Sequence, residues 1–225
     1  RWDSMSLLTP NWMTRLPGQP YTGDEPDGYM RAAEVADFVA AYARRIDAPV
    51  HAQTTVTRLT RHGGQYRVAT HQGDWHCRAV VLAHGAFGLP ALPALARDLP
   101  RGVAQWSARD YRNPAQLPEG GVLVVGASAT GVQWAHEIQR SGRPVVLATG
   151  EHVRLPRTYR GHDIQWWMHA AGVLDQRIED NPEPERARRV ASPQLIGSDG
   201  RQTGDLNALQ ALAAPGNKPQ RAKSV

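Results

Sequence analysis

Residues 126–131 read Gly-Ala-Ser-Ala-Thr-Gly and have the residue types and spacing of a turn that binds a phosphate group. An apolar run precedes them and a helical pattern follows, so the turn lies where a strand passes into a helix. The first turn of a helix leaves amide donors unpaired and carries partial positive charge, which favours a pyrophosphate there. The sequence therefore predicts a dinucleotide site with the residues Gly126, Ser128, Ala129, Thr130 and Gly131.

Ser128 takes the place of the middle glycine of the dinucleotide fingerprint G-x-G-x-x-G. Glycine at that point lets the ligand approach the main chain closely. Serine is small and its hydroxyl can donate a hydrogen bond, so we expect a pyrophosphate to bind, less tightly or slightly displaced. The alternative is a parallel-sheet turn without a ligand, in which the glycines serve only the packing of helix on strand.

Two arginines beyond the second strand favour NADPH over NADH. An NAD site usually has a carboxylate about 20 residues beyond the turn, at the end of that strand. Here the strand end at 148–150 reads Ala-Thr-Gly, and Glu151 follows it. Arg154 and Arg157 lie in one short loop, and guanidinium groups pair well with a 2′-phosphate. Two solvated loop arginines are the alternative interpretation.

The elements that position this turn follow a strand–helix–strand order. Residues 122–125 form an uninterrupted apolar run, as expected of a strand covered on both faces of a parallel sheet. Val132, Ala135 and Ile138 share one face of the following helix, and residues 144–147 supply the second strand. A further helix is predicted within 162–174.

The first half of the chain has a different pattern. Apolar residues at three- and four-residue spacing predict a helix within 30–46. Strand patterns follow at 48–59, 65–71 and 76–83, and Gly63-Gly64 predicts a hairpin turn between the first two. We expect a small antiparallel meander whose last strand returns to a buried sheet and ends at His84-Gly85.

Composition excludes several classes of function. Lys and Arg number 26 against 21 acidic residues, but they are scattered rather than arranged in the basic stripe of a nucleic-acid binder. The single cysteine forms no intramolecular disulfide and fits a reducing compartment. No apolar run approaches the roughly 18 residues of a membrane span. We expect a cytoplasmic protein that binds neither nucleic acid nor membrane, and the histidines have no metal-ligand spacing.

Four segments together resemble bacterial flavin-dependent monooxygenase-like oxidoreductases, relatives of the flavin-containing monooxygenases. They are LLTPNWMTRLPG, VVLAHGAF, SARDYRNPAQLPEGGVLVVGASATG and RLPRTYRGHDIQWW, and the resemblance extends over about residues 1–210. Members of this family use FAD and NADPH together on small-molecule substrates. Their NADPH domain is inserted within the FAD domain, and the flavin, once reduced by NADPH, reacts with oxygen.

The resemblance implies roles for particular residues. Gly126, Ser128 and Gly131 would take the NADPH pyrophosphate, and Gly85 would lie against the flavin nucleotide. Asn11 occupies the place of an asparagine near the oxygen adduct of the flavin, where its amide would donate a hydrogen bond. For Asn11 the alternative is a side chain that caps a loop.

We therefore predict an α/β protein. Residues 1–114 form part of an FAD-binding domain with the antiparallel meander, residues 115–196 form a doubly wound Rossmann-like NAD(P)-binding domain, and residues 197–225 form an irregular, disordered tail. No other glycine turn upstream of Gly120 has a strand–turn–helix context, so the FAD fingerprint of the family is missing from this sequence. Two functions stay open: an FAD- and NADPH-dependent oxidoreductase of monooxygenase type, or a non-catalytic NAD(P)-binding module that no longer binds FAD.

Overall fold

The computed structural model has an α/β architecture and describes residues 2–85, 88–90, 92–150, 153–190, 193–198, 200–204, 206 and 209. Most of the predicted tail and Glu151 lie outside the described residues. Short 3₁₀ helices occur between the main elements, at Asn11–Met13, Ala94–Arg97, Pro114–Gln116, Val173–Asp175 and Ile178–Asp180.

The N-terminal segment contains a short antiparallel pair of strands and the predicted helix. Strand β1 (Arg15–Leu16) pairs with β2 (Gln19–Pro20), and helix α1 spans Ala32–Arg45. A capping interaction begins α1, because the amide nitrogen of Arg31 donates to Glu34 Oε2 at 2.6 Å. This helix buries none of its residues. The helix predicted within 30–46 is confirmed, but its apolar stripe stays partly exposed.

The meander is formed by β3 (Val56–His62), β4 (Gln65–Thr70) and β5 (Gly73–Cys77). The three strands pair antiparallel in sequence order. Gly63 and Gly64 connect the first two strands with φ angles of 56° and 81°, a conformation that glycine adopts without strain. The predicted antiparallel meander and its glycine turn are confirmed, but the first strand begins at Val56 and not near residue 48.

The prediction that the last strand continues to His84-Gly85 is wrong. Strand β5 ends at Cys77, and residues 79–85 belong to no strand. Val81 and Leu82 are 87% and 71% exposed. An extended segment becomes a strand only when a neighbour pairs with its backbone amides and carbonyls, and no described residue pairs with this segment.

The predicted Rossmann-like unit is confirmed between residues 122 and 148. Strand β6 (Val122–Val125) and strand β7 (Val145–Ala148) pair in parallel, with Val122 opposite Val145. Helix α2 (Ala129–Arg140) connects them and packs against both strands. The three residues predicted for its buried face, Val132, Ala135 and Ile138, are all buried.

Only one face of this sheet is covered within the described part of the chain. Val124 points to the covered face and belongs to the main apolar core with Ala135 and Ile138. Leu123 and Val125 alternate with it and are 58% and 54% exposed. Successive side chains of a strand point to opposite faces, so Leu123 and Val125 lie on the face opposite Val124. Among the described residues nothing covers that face, and the second layer of helices of a doubly wound sheet is not seen.

The remaining elements follow the βαβ unit. Strands β8 (Thr158–Tyr159) and β9 (His162–Asp163) form a short antiparallel pair that leads into α3 (Ile164–Ala170), and α4 spans Pro184–Ala187. The helix predicted within 162–174 is thereby confirmed. In the part of the chain that the structure describes, no helix combines the length and apolar character needed to span a membrane.

Candidate nucleotide-binding site

The candidate site is the turn between β6 and α2. Ser128 is the N-cap residue of α2, and Gly126 has a φ of 103°. The amide nitrogen of Gly126 donates to the carbonyl of Ala148 at 3.0 Å, which ties the turn to the end of β7. Helix geometry leaves the amides of residues 128–131 without acceptors inside the helix, so this end of α2 presents hydrogen-bond donors.

The two glycines of the turn are required for different reasons. A side-chain carbon at Gly131 would lie only 1.9 Å from the carbonyl oxygen of Gly126, so glycine allows α2 to approach the turn. A side-chain carbon at Gly126 would meet nothing within 4 Å, but its φ of 103° is one that residues with a side chain rarely adopt. The space beside Gly126 is therefore open at the point where the helix amides begin.

Ser128 and Thr130 are exposed at this end of the helix, and Ala129 is half-buried. The Ser128 side chain makes no capping hydrogen bond to the first turn of α2. Its exposed hydroxyl is therefore not used to cap its own helix.

Gln194 also belongs to the site, although sequence reasoning did not identify it. Its side chain is completely buried, and its Nε2 atom donates to the carbonyl of Ala127, 67 positions away along the chain. Its Oε1 atom is buried without a hydrogen-bond partner among the described residues. No local pattern signals such a contact, because it depends on how the later segment packs.

The structure places Arg157 away from solvent, against the prediction that it binds a 2′-phosphate. Its side chain is completely buried, and Asp163 Oδ2 accepts from its Nη2 atom at 2.7 Å. The hydroxyl of Tyr29 and the carbonyl of Leu8 accept from Nε and Nη1, each at 2.7 Å. Arg157 thus joins distant segments of the protein, whereas Arg154 is exposed.

Tyr29 completes this buried cluster of Arg157, Asp163 and Tyr29. Its hydroxyl donates to Asp163 Oδ2 at 2.5 Å, and the Arg157 guanidinium lies 4.4 Å from the centre of its ring. Burial and the hydrogen bond to Asp163 raise the pKa of Tyr29 to about 12, against an opposing effect of Arg157. Tyr29 stays protonated at neutral pH and connects the two charged side chains.

The structure favours the loop-capping interpretation of Asn11. This residue is buried, its Oδ1 atom accepts from the amide of Met30 at 2.7 Å, and its Nδ2 atom donates to the carbonyl of Glu25 at 2.9 Å. Gly85 is exposed with a φ of 72°. The flavin contacts predicted for Asn11 and Gly85 stay predictions.

A second polar cluster lies on the core side of α2. Glu137 accepts hydrogen bonds from Trp2 at 2.9 Å, from Ser4 at 2.6 Å and from Tyr111 at 2.8 Å. Burial, followed by the hydrogen bond to Glu137, raises the pKa of Tyr111. The next residue back along the helix, His136, has a pKa lowered by burial and then by the charge of Arg140. These contacts fix α2 against the N-terminal segment.

The described residues supply one nucleotide turn and no other site of comparable form. Within the described ranges, no second strand–glycine turn–helix unit is present, so a pyrophosphate cradle for FAD is not formed there. No group of three or more His, Cys, Asp or Glu in those ranges is arranged to hold a metal ion.

Curated relatives with similar sequences are bacterial oxidoreductases. A protein of Geobacillus kaustophilus, named uncharacterized oxidoreductase CzcO-like, is 37% identical over 182 residues, which are 80% of this chain and 52% of the relative. The uncharacterized oxidoreductase CzcO of Bacillus subtilis is 28% identical over 77% of this chain and 50% of its own length. The chain therefore spans about half the length of the curated relatives it matches.

A solved structure and a family profile agree with this assignment. A double mutant of a flavin monooxygenase from Stenotrophomonas maltophilia superposes with a TM-score of 0.61 at 25% identity, over 85% of this chain and 57% of that one. The sequence profile of the pyridine nucleotide-disulphide oxidoreductases matches residues 16–170, which include the β6–α2 turn. The chain belongs to the pyridine nucleotide-disulphide oxidoreductase family.

Proposed function

We propose that the chain functions in an FAD- and NADPH-dependent oxidoreductase of monooxygenase type, with NADPH bound at the β6–α2 turn and a small molecule as substrate. The observation that carries the proposal is the open space beside Gly126, next to the unpaired amides that begin α2. The flavin monooxygenase of similar fold and the family of the chain support the same activity.

Different residues of the site bind different groups of NADPH. The amides of residues 128–131 and the Ser128 hydroxyl bind the pyrophosphate, while the exposed Arg154 pairs with the 2′-phosphate. Gly131 keeps α2 close enough to the turn for these donors to converge. NADPH bound in this way supplies a hydride, and FAD is the acceptor that the family implies. The described residues do not form a pyrophosphate cradle for FAD.

A non-catalytic NAD(P)-binding module, or a remnant that no longer binds FAD, is the second candidate function. Two observations favour it: residues 79–85, which would contact the flavin, pair with no strand, and the polar atoms of Asn11 already bond to backbone groups. Under this alternative the β6–α2 turn binds its nucleotide and no flavin is reduced.

The visible absorption spectrum of the purified protein distinguishes the two functions. The oxidoreductase requires a flavin spectrum that bleaches when NADPH is added without oxygen. A colourless protein that binds NADPH supports the binding module instead. A protein that binds neither flavin nor NADPH overturns both functions.

The choice of NADPH over NADH is tested with Arg154→Ala. Loss of a charged hydrogen bond costs about 1.5–3 kcal/mol, so we expect NADPH affinity to fall about tenfold or more, since tenfold is about 1.4 kcal/mol. NADH affinity should not change, because NADH has no 2′-phosphate. Arg58→Ala, on the exposed surface of β3, serves as the matched control. Equal loss for both nucleotides would remove Arg154 from the 2′-phosphate site.

A further inference from the structure

We infer that Gln194 is a positioning residue of the nucleotide site, which orients the turn so that the Ser128 amide faces the pyrophosphate. The inference rests on the proposed binding of NADPH at the β6–α2 turn. Gln194 itself does not contact the nucleotide. It acts on the turn through the carbonyl group of Ala127.

One peptide unit connects the Gln194 side chain to the proposed pyrophosphate site. The carbonyl of Ala127 and the amide N–H of Ser128 belong to the same planar unit, which is trans because the described backbone contains no cis peptide. In a trans peptide these two groups point in opposite directions. The Nε2 atom of Gln194 holds the carbonyl on the buried side, and this fixes the Ser128 N–H toward the open side of the turn.

The carboxamide is a costly choice for a purely structural residue. Within the described part of the chain, its Oε1 atom is buried and has no hydrogen-bond partner. A buried polar atom without a partner lowers stability, and this cost offsets much of what the Nε2 bond to the Ala127 carbonyl contributes. Gln194 therefore keeps a donor at the turn with little net gain in stability.

The backbone that carries Gln194 is held on both sides of this residue. Its amide nitrogen donates to the carbonyl of Val153 at 2.8 Å, and Pro193 forms a parallel bridge with Val153. On the other side, a side-chain carbon at Gly197 would lie only 1.8 Å from the carbonyl oxygen of Leu7, so this glycine packs directly on the N-terminal segment. The amide thus reaches the turn from a fixed position.

This arrangement also connects the two ends of the proposed nucleotide site. Val153 precedes Arg154, the residue proposed for the 2′-phosphate, and Ala127 precedes the amides proposed for the pyrophosphate. Gln194 bonds to both segments, through its backbone at one and its side chain at the other. Loss of the side-chain bond should disturb the pyrophosphate end and spare the 2′-phosphate end.

Gln194→Leu tests this difference in the full chain by calorimetric titration with two ligands. We expect NADPH to bind about tenfold more weakly and adenosine 2′-monophosphate, which lacks the pyrophosphate, to bind within twofold of the wild type. The melting temperature should change little, because the substitution removes the unsatisfied oxygen but also leaves the Ala127 carbonyl without its donor. Gln116→Leu is the control: it removes a side-chain bond to the carbonyl of Asp110, and both affinities should stay unchanged.

Gln194→Glu provides a second readout that a purely structural role would not produce. A carboxylate cannot donate to the Ala127 carbonyl, but a protonated carboxyl can. Burial raises the pKa of a carboxyl group, so lowering the pH should restore binding of NADP⁺, measured relative to the wild type at each pH. The inference is contradicted if the NADP⁺ affinity of Gln194→Glu, relative to that of the wild type, does not rise as the pH is lowered.

The outcomes separate the inference from the function beneath it. The positioning role is overturned if Gln194→Leu binds NADPH as tightly as the wild type. It is also overturned if both variants lose affinity for NADPH and for adenosine 2′-monophosphate equally. In either case NADPH binding by the wild type stands. A wild-type protein that binds neither ligand overturns the proposed function, and the positioning role with it.

Discussion

A single methyl group at Gly131 should disrupt both the fold around the turn and its affinity for nucleotide. In the structure this carbon would lie 1.9 Å from the carbonyl oxygen of Gly126, whereas real contacts of this kind do not fall below 3.0 Å. The obstacle is backbone rather than a flexible side chain. Helix α2 must therefore move about 1 Å or more away from the turn.

The expected size of the effect follows from the cost of overpacking. Inserting a methyl group into a packed site costs about 1–3 kcal/mol, which lowers the melting temperature of a protein of this size by about 2–12 °C. Alanine elsewhere in a helix is favoured over glycine by about 1 kcal/mol. Helix propensity alone predicts that Gly131→Ala stabilises the protein, whereas the clash with the turn predicts a loss of stability. The sign of the change therefore distinguishes the two effects.

Thermal unfolding and NADPH titration of Gly131→Ala provide the assay. We expect the melting temperature to fall and the NADPH affinity to fall about tenfold or more, because displaced amides no longer converge on the pyrophosphate. Gly121→Ala is the matched control, since its added carbon would lie 3.7 Å from the nearest atom, the carbonyl oxygen of Pro144. If Gly131→Ala matches the wild type in both measurements, the close approach of α2 to the turn is refuted.

Three further predictions concern single residues. Asp163→Asn leaves the completely buried Arg157 without its charged partner, so the free energy of unfolding in urea should fall by about 3–5 kcal/mol; a loss under 1 kcal/mol would contradict the buried pair. Burial and the charge of Arg140 lower the pKa of His136 below 6.5, so the folded state binds this proton less readily than the unfolded state. The neutral form of His136 therefore stabilises the folded state fully above pH 6.5, and this contribution is lost as the pH falls toward the lowered pKa. Between pH 7.5 and 5.5 the melting temperature should fall more for the wild type than for His136→Gln. Equal changes of melting temperature with pH in the two proteins would refute this. Ser128→Ala removes only a hydroxyl donor, and NADPH affinity should fall about twofold to tenfold; an unchanged affinity would remove the hydroxyl from the site.

The parts of the fold that the sequence predicts correctly depend on local patterns. The turn at 126–131 and helix α2 follow from an apolar run, two glycines and helical spacing within one short stretch. The Gly63-Gly64 hairpin is local in the same sense. Such patterns carry their own structural signal, because each element needs only its neighbours in the chain to form.

The parts that were wrong or missed depend on partners far away in the chain. The sequence around Arg157 is that of a loop, but Tyr29, 128 positions away, helps to bury this residue. Gln194 contacts the turn across 67 positions. An apolar run such as 79–83 indicates burial only if another strand lies beside it. No local pattern reports whether such a partner is present.

The central claim, that the β6–α2 turn binds NADPH, is tested most directly by titrating NADPH into the wild-type protein and into Gly126→Val. Valine at this position would extend into the open space beside the turn, and a φ of 103° is one that side-chain-bearing residues rarely adopt. We predict saturable binding by the wild type and none by Gly126→Val in a variant that still folds. Equal NADPH affinity of the two proteins, or no binding by the wild type, would contradict the claim.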